Sequence, residues 1–449
     1  MHRISKTIGA IVAGALALSL VACSSNTGPA ATEPDRLSQE EIDEALQTDT
    51  TLVFWTWVSG IEEEVAQFTQ KYPAIKVKVE NAGQGAPQYT KLRTALTAGS
   101  GAPDLAQIGY DYISTFAITD SLVDIRPYVS EDFDSKFVDW TIEQVGGADG
   151  QLWAVPQDTG PMGLLYRSDI LEQYGIDVPT TWEEFAEAAR ELHAANTEVY
   201  LTNFPPNVDG FWTALNWQAG NPSYTVADQE TLSFDVNSEE AKRIADFWQG
   251  LVDEGVISTD PEYTDEWYQG LNSGRYASWP TAAWGPLFLE SSAPATAGLW
   301  RAAEFPVWEG SEAVSANRGG STTAVISGTK NAIAAAALAE FLNSDPDVSM
   351  ALATERSLFP AAVSTLEDPE FLDASSDFYG GQKVNALFAE ISETVNPNFD
   401  FPPFRDMDIT IWKETVGTAI DGGGDIAASL DEWQDRLVAY AEEQGFTVK

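Results

Sequence analysis

The chain has one cysteine, two histidines and no Gly-Lys dipeptide, and each scarcity removes a class of chemistry. A lone thiol, Cys23, can form no intramolecular disulfide, so the folded part owes its stability to its core. Of the histidines, His2 stands at the start and His193 sits late on an amphipathic stretch, where packing or surface duty is the ordinary role. No HExxH, zinc-spaced Cys/His set or GxSxG occurs, which leaves metal hydrolysis and a histidine-activated nucleophile unsupported; no cofactor or metal is expected. Without Gly-Lys there is no Walker A loop, so any ATP-driven step belongs to partners. Basic residues are scarce too: 24 Lys and Arg stand against 69 Asp and Glu, a formal charge of −45. That charge argues against nucleic acid as a partner and disfavours an anionic ligand; the acidity reads as a solvated surface that keeps molecules apart. Beyond the N-terminus no apolar run is long and uncharged enough to span a bilayer.

What is present begins with a targeting segment. His2, Arg3 and Lys6 precede an apolar run from Ile8 to Val21, the pattern of a signal peptide over residues 1–22. The run ends in Leu20-Val21-Ala22-Cys23, which resembles the lipobox of bacterial lipoproteins and implies a diacylglycerol on Cys23. Two acyl chains suffice for stable anchoring where one is marginal. Residues 23–50 are rich in Ser, Thr, Pro, Ala and acid and read as a tether, with one short helical candidate opened by the capping-box spacing Ser38 to Glu41.

The remaining length exceeds what one core usually holds, so two domains are expected. Thr51–Trp57 is a buried strand, Ile61, Val65, Phe68 and Tyr72 share a helix face, Ile75, Val77 and Val79 alternate with lysines, and Asp104–Gly109 is a third strand. Strands alternating with helices imply an α/β fold with a parallel sheet, whose ligands sit beyond the carboxyl ends of the strands. The stretch Asp149–Phe185 organises the chain. Leu152–Val155 is a strand that breaks at Pro156, Gly160-Pro161 and Gly163 follow, and Leu164–Tyr166 resumes as a second strand. That kink reads as the crossing from one body to another, and Leu299–Pro306 as the strand that returns. Glycine stops a helix at Gly175, Thr181 and Glu184 open another, and Gly319-Gly320 introduces a strand at Thr323–Ile326. Asp421-Gly-Gly-Gly-Asp425 lacks the ligand spacing of a calcium loop and reads as a helix stop followed by an N-cap.

Aromatics are abundant, with 15 Trp, 14 Tyr and 21 Phe. Flat π faces suit the axial C–H groups of a pyranose, so tryptophans near turns are candidates for stacking on sugar. Trp153, Trp182, Trp248 and Trp433 read as packing residues; Trp57, Trp212, Trp217 and Trp284 are open to either role.

These features assemble into a resemblance that spans nearly all of the chain after the signal. Its parts are the lipobox, Leu52-Val-Phe-Trp-Thr-Trp57, Gly101-Ala-Pro-Asp-Leu-Ala-Gln-Ile108 with Ser121-Leu-Val-Asp-Ile125, Gly150-Gln-Leu-Trp-Ala-Val-Pro156 with Leu165-Tyr-Arg167, Gly175-Ile-Asp-Val-Pro-Thr-Thr-Trp-Glu-Glu-Phe185 and Gly319-Gly-Ser-Thr-Thr-Ala-Val-Ile326. In this order the chain resembles the family-1, carbohydrate-type extracellular solute-binding proteins of bacterial ABC importers. The resemblance implies an α/β, two-lobed, type II periplasmic-binding-protein-like fold, with residues 51–157 plus 307–345 in lobe 1 and 158–306 plus 346–449 in lobe 2. It implies a monomeric binding protein and not an enzyme, lipid-anchored at the cell membrane and facing outside the cytoplasm, with a carbohydrate ligand and ABC permease subunits as partners. Carried over by position, the ligand residues are Trp57, Tyr110, Asp111, Asp158, Trp212, Trp284, Arg318, Arg356 and Asp406. Asp111 has a second reading as an N-cap, and Arg167 stands where relatives commonly have Asn. Two rival functions remain at this point: binding of a polyamine or other cation, suggested by the acidity, and glycoside hydrolysis, which needs only two carboxylates.

Overall fold

The computed structural model describes residues 36–449 apart from 148, 229, 312 and 313; the signal segment, Cys23 and the tether as far as residue 35 lie outside the described residues. The strands are β1 (Thr50–Trp55), β2 (Ile75–Glu80), β3 (Leu105–Gly109), β4 (Ala154–Asp158), β5 (Met162–Arg167), β6 (Tyr224–Val226), β7 (Thr231–Phe234), β8 (Ser278–Ala282), β9 (Trp300–Glu304), β10 (Ser321–Val325) and β11 (Thr447–Val448). They form a five-stranded sheet in the order β2-β1-β3-β10-β4 and two three-stranded sheets, β8-β5-β9 and β11-β7-β6.

β-Branched and aromatic residues make β1, and its neighbours β2 and β3 run parallel to it. β2 is an edge strand, and Lys76 and Lys78 on its exposed face discourage further pairing. β10 is antiparallel to both β3 and β4, so the sheet is mixed and not wholly parallel as its alternation with helices suggested. The reason is topological: β10 enters from the second body and therefore runs against the strands that lead toward it. Pro156 does not break its strand. β4 continues to Asp158 and pairs Pro156 with Thr322. A proline has no N–H to give a ladder, and β4, as the edge of the sheet, needs none on its outer side. The turn comes instead at Thr159–Pro161.

Local signals acted as their chemistry predicts. Capping boxes at Ser38/Glu41 and Thr181/Glu184 open the helices Gln39–Leu46 and Trp182–Ala195. Gly175 closes Ser168–Tyr174 with φ of 70°, and Asp425 caps Ile426–Glu443 by accepting from Ala428 N at 2.8 Å. His193 stacks on Tyr200 at 4.9 Å, and Arg167 is buried in a bidentate pair with Asp169 at 2.8 and 2.7 Å.

A first core gathers Leu52, Phe54, Phe68, Leu105, Ile108 and Leu338 around the five-stranded sheet. The second body has two adjoining cores, one around Trp182, Phe185, Trp217, Trp248, Trp412 and Trp433, the other around Trp267, Trp279 and Trp300. Two segments sit elsewhere than the sequence suggested. Ile42 and Leu46, within the expected tether, pack in the first core, and Leu37 N donates to Pro127 O at 2.9 Å. The helix Pro346–Glu355, expected with the second lobe, buries Val348 and Leu352 in the first core.

Among the described residues, three segments therefore run between the bodies. Met162 N donates to Ala316 O and Arg318 N to Gly160 O, both at 2.8 Å, while Thr159 N donates to Phe359 O at 2.8 Å. β9 is not the returning strand; it pairs with β5 inside the second body, and the return is made by residues 316–320.

Candidate functional site

The carboxyl ends of β1 and β3 and the start of β10 meet at one edge of the first sheet. Trp57 is half-buried there, and its backbone N–H donates to Gln107 Oε1 at 3.0 Å. Tyr110 opens the helix Tyr110–Ala117; its side chain is 2% exposed, and its hydroxyl has no hydrogen-bond partner among the described residues. Asp111 is not the N-cap, a place taken by Gly109, and its carboxylate meets Arg405 Nε of the second body at 3.5 Å. Burial pushes the Asp111 carboxyl up, and Arg405 pulls against it.

Asp158 ends β4 at the crossing. Its carboxylate accepts a hydrogen bond from the Ser321 hydroxyl, and burial, opposed by that bond, pushes it up to about 7. The strands then pass so closely that side chains are excluded. A Cβ on Gly160 would lie 2.1 Å from Arg318 O and 3.0 Å from Trp284 Nε1; one on Gly320, whose φ is +79°, would lie 2.6 Å from Asp158 O.

On the second body, Trp284 Nε1 donates to Arg318 O at 2.8 Å, and the Arg318 guanidinium stands 5.8 Å from the Trp284 ring and 5.9 Å from that of Tyr263. Arg318 Nη2 pairs with buried Glu262 at 2.7 Å, while its Nη1 has no partner among the described residues. Tyr263 takes the left-handed region with φ of 64°, which costs a non-glycine residue about 1–3 kcal/mol and marks a constrained position. Trp212 is 3% exposed on the helix Gly210–Gln218 and packs in the second core beside Trp217, which stacks on Phe399 at 4.5 Å.

Behind these residues lies a buried ion cluster. Arg405 bonds Asp408 and Asp209 as well as Asp111, and Asp408 also accepts from Tyr224 at 2.9 Å and Trp433 at 3.2 Å. Burial pushes Asp408 up to about 6 against the pull of Arg405. Asp406, next to Arg405 in the chain, accepts from Tyr112 at 2.8 Å and pairs with Arg93, both on helices of the first body.

The structure thus brings Tyr110, Asp158, Trp284 and Arg318 to the crossing and joins Trp57 to them through Gln107. Arg356 reaches over Gly60 and is held by Glu63 at 2.7 Å and Glu64 at 3.1 Å. Asp406 lines a groove of about 1250 Å³ that also borders residues 99–104, at the end of β3 opposite Tyr110. Sequence reasoning missed Gln107, Glu262, Tyr263, Ser321 and Arg405. Gly319-Gly320 was the one local signal for Ser321; the others carry none, because their roles come from partners far along the chain.

Among the described residues, no helix is long and apolar enough to cross a membrane. An arabinooligosaccharide-binding protein of Halalkalibacterium halodurans is 24% identical over 365 residues, 79% of this chain and 81% of its own length. Among solved structures, the ABC transporter associated binding protein from B. animalis subsp. lactis, in complex with beta-1,6-galactobiose, is 31% identical with a TM-score of 0.75, and the match covers 90% of this chain and 100% of that one. The galacto-N-biose-/lacto-N-biose I-binding protein from Bifidobacterium longum, in complex with lacto-N-biose, is 26% identical with a TM-score of 0.76 over 89% of this chain and 98% of its own. The fold is accordingly the two-lobed, type II periplasmic-binding architecture. The sequence model described as bacterial extracellular solute-binding protein matches residues 55–348. The chain belongs to the bacterial extracellular solute-binding protein family.

Proposed function

We propose that this protein captures a sugar or oligosaccharide between its lobes and delivers it to the permease subunits of an ABC importer. The lobes divide as 51–157 plus 307–345 and 158–306 plus 346–449, with the helices Gln39–Leu46 and Pro346–Glu355 packed into the first. What supports the reading is the pairing of chemistries at the crossing. Gly160, two residues beyond Asp158, lies directly against Arg318 O and Trp284 Nε1, and Arg318 Nη1 has no partner among the described residues. A ring face suits the apolar side of a pyranose, and charged donors and acceptors suit its hydroxyls. Trp57, Tyr110 and Asp111 complete the set of proposed contacts; Trp212, packed in the second core, Arg356, held by Glu63 and Glu64, and Asp406, at the opposite end of β3, stand outside it. Ligand binds one lobe first and favours the closed arrangement by touching the other, because only differential affinity shifts such an equilibrium.

The protein works outside the cytoplasm as a monomer, held to the membrane by lipid on Cys23, and it performs no catalysis. The test is a panel of lactose, β-1,6-galactobiose, lacto-N-biose and arabino-oligosaccharides, read by tryptophan fluorescence and thermal shift. A binding sugar raises the unfolding temperature and is recovered intact. Silence across the panel removes the sugar reading, shortened products would make the protein a glycosidase, and heat with spermidine that sugars do not displace would make it a cation binder.

A further inference from the structure

The pairing of β4 with β10 holds one irregularity. Ser321 lies opposite Asp158 and Thr322 opposite Pro156, so Gln157 is the extra residue of a bulge. In an even strand Gln157 and Asp158 would point to opposite faces. The bulge turns both toward Ser321, whose Oγ lies 3.3 Å from Gln157 Oε1 and bonds Asp158 Oδ1.

The hydrogen bonds behind Ser321 run in one direction. Gln107 is fully buried, and its Oε1 accepts from the Thr56 hydroxyl at 2.7 Å and from Trp57 N at 3.0 Å. That fixes which way round the amide sits, so Nε2 faces Ser321 Oγ at 2.8 Å and donates to it. With Oγ accepting there, the single hydroxyl hydrogen of Ser321 goes to the carboxyl. Two more polar groups surround Asp158 and have no partner among the described residues: the Tyr110 hydroxyl and Gln157 Nε2, on side chains only 2% and 4% exposed. Tyr110, from the helix after β3, is the titratable group that faces Asp158. The neighbours from β3 and β10, Gln107 and Ser321, are uncharged, and among the described residues no Lys, Arg or His acts on it.

We propose that Gln107 and Ser321 are positioning residues that hold one oxygen of Asp158, and that the other oxygen, as carboxylate, accepts a hydroxyl group of the ligand beside Tyr110 and Gln157. This rests on the sugar-binding reading above. Because burial pushes the carboxyl up to about 7, capture of a sugar at neutral pH sends a proton from Asp158 to solvent, and affinity rises with pH until the carboxyl is ionised. Ser321 favours the ionised form, so its loss moves the midpoint upward.

The experiment uses the full mature chain with whichever sugar of the panel binds, titrated by calorimetry across pH. The wild type weakens about tenfold from pH 8 to pH 6, and Asp158→Asn shows no such slope. Ser321→Ala shifts the midpoint upward and Ser321→Thr restores it. A flat wild-type profile overturns the proposal, as does a Ser321→Ala variant weakened equally at every pH. A second readout needs no sugar: with carbon-13 in the aspartate carboxyls, the Asp158 signal, identified by its absence in Asp158→Asn, titrates near neutrality and higher still in Ser321→Ala. Titration in the ordinary range of about 4, or no shift in Ser321→Ala, overturns the proposal even if every sugar fails.

Discussion

Asp408 and Asp158 meet the same difficulty, a carboxyl withdrawn from water, and resolve it differently. Asp408 is 0% exposed in the second body, and it shares the Arg405 guanidinium with Asp209 and Asp111 while Tyr224 and Trp433 donate to it. Asp158, at the crossing, has the Ser321 hydroxyl and no cation among the described residues. A cation and two neutral donors hold the first within the protein, although burial still pushes its carboxyl up to about 6. Neutral donors alone, the Ser321 hydroxyl and the backbone N–H groups of Ser321 and Asp158, do not offset burial, and the second keeps its proton to about 7. One acid is therefore part of the framework, and the other is poised to meet something that comes from outside. The cluster has a further reach. Through Asp111 and Asp406, Arg405 and its neighbour tie the second body to two helices of the first, so the same residues that neutralise the interior also hold the lobes together.

The largest effect is expected at Arg405. Replacing it by alanine strands buried acids without a cation and is expected to lower unfolding free energy by about 3–5 kcal/mol in urea titrations. A loss under about 1 kcal/mol would mean that the cluster is hydrated and the contrast with Asp158 false. At Asp158 the effect moves from folding to ligand. Asp158→Ala is expected to weaken sugar binding by about 10–100-fold, the worth of a hydrogen bond to a charged group, without lowering the urea midpoint.

The pH dependence sharpens the same point. Folded Asp158 keeps its proton to about 7, whereas an unfolded aspartate sheds it near 4. The folded state therefore binds more protons in between, and this residue's contribution to stability falls as pH rises through that window. Thermal unfolding at about pH 5 and about pH 8 should show Asp158→Asn gaining on the wild type at the higher pH; a constant difference contradicts the argument. Arg356→Ala is a smaller test. It removes the cation from Glu64, which is 2% exposed, and should cost about 1–3 kcal/mol of stability while leaving sugar affinity unchanged. Smallest of all, Tyr112→Phe removes one donor from half-exposed Asp406, for about 1 kcal/mol or less, and a double-mutant cycle with Asp406→Asn should recover most of it.

Much of the fold was legible because its signals are local. Ser38 and Glu41, or Thr181 and Glu184, cap helices through atoms three residues apart, and Gly175 stops one by a backbone conformation that only glycine adopts freely. Where local cues misled, the missing information was always a neighbour. Pro156 reads as a strand breaker until β4 is seen to be an edge. Trp212 and Trp217 sit near glycines that suggest a loop, yet they lie on a helix whose rings fill the second core. Ser38–Leu46 reads as part of a tether because a short acidic helix advertises no partner, and only the fold supplies the surface on which Ile42 and Leu46 are buried.

The alternation of strands and helices, the chain's crossing between bodies near Asp158 and the family resemblance are legible from spacing and residue type. The tertiary structure alone decided which acids share a cation and which do not. Arg405 meets Asp209 from 196 positions away and Asp111 from 294, while the bulge that aims Asp158 exists only in the register of β4 against β10. The energy of a carboxyl depends on the water it loses and the charges it gains, and both are properties of the packed neighbourhood, not of the residues beside it in the chain.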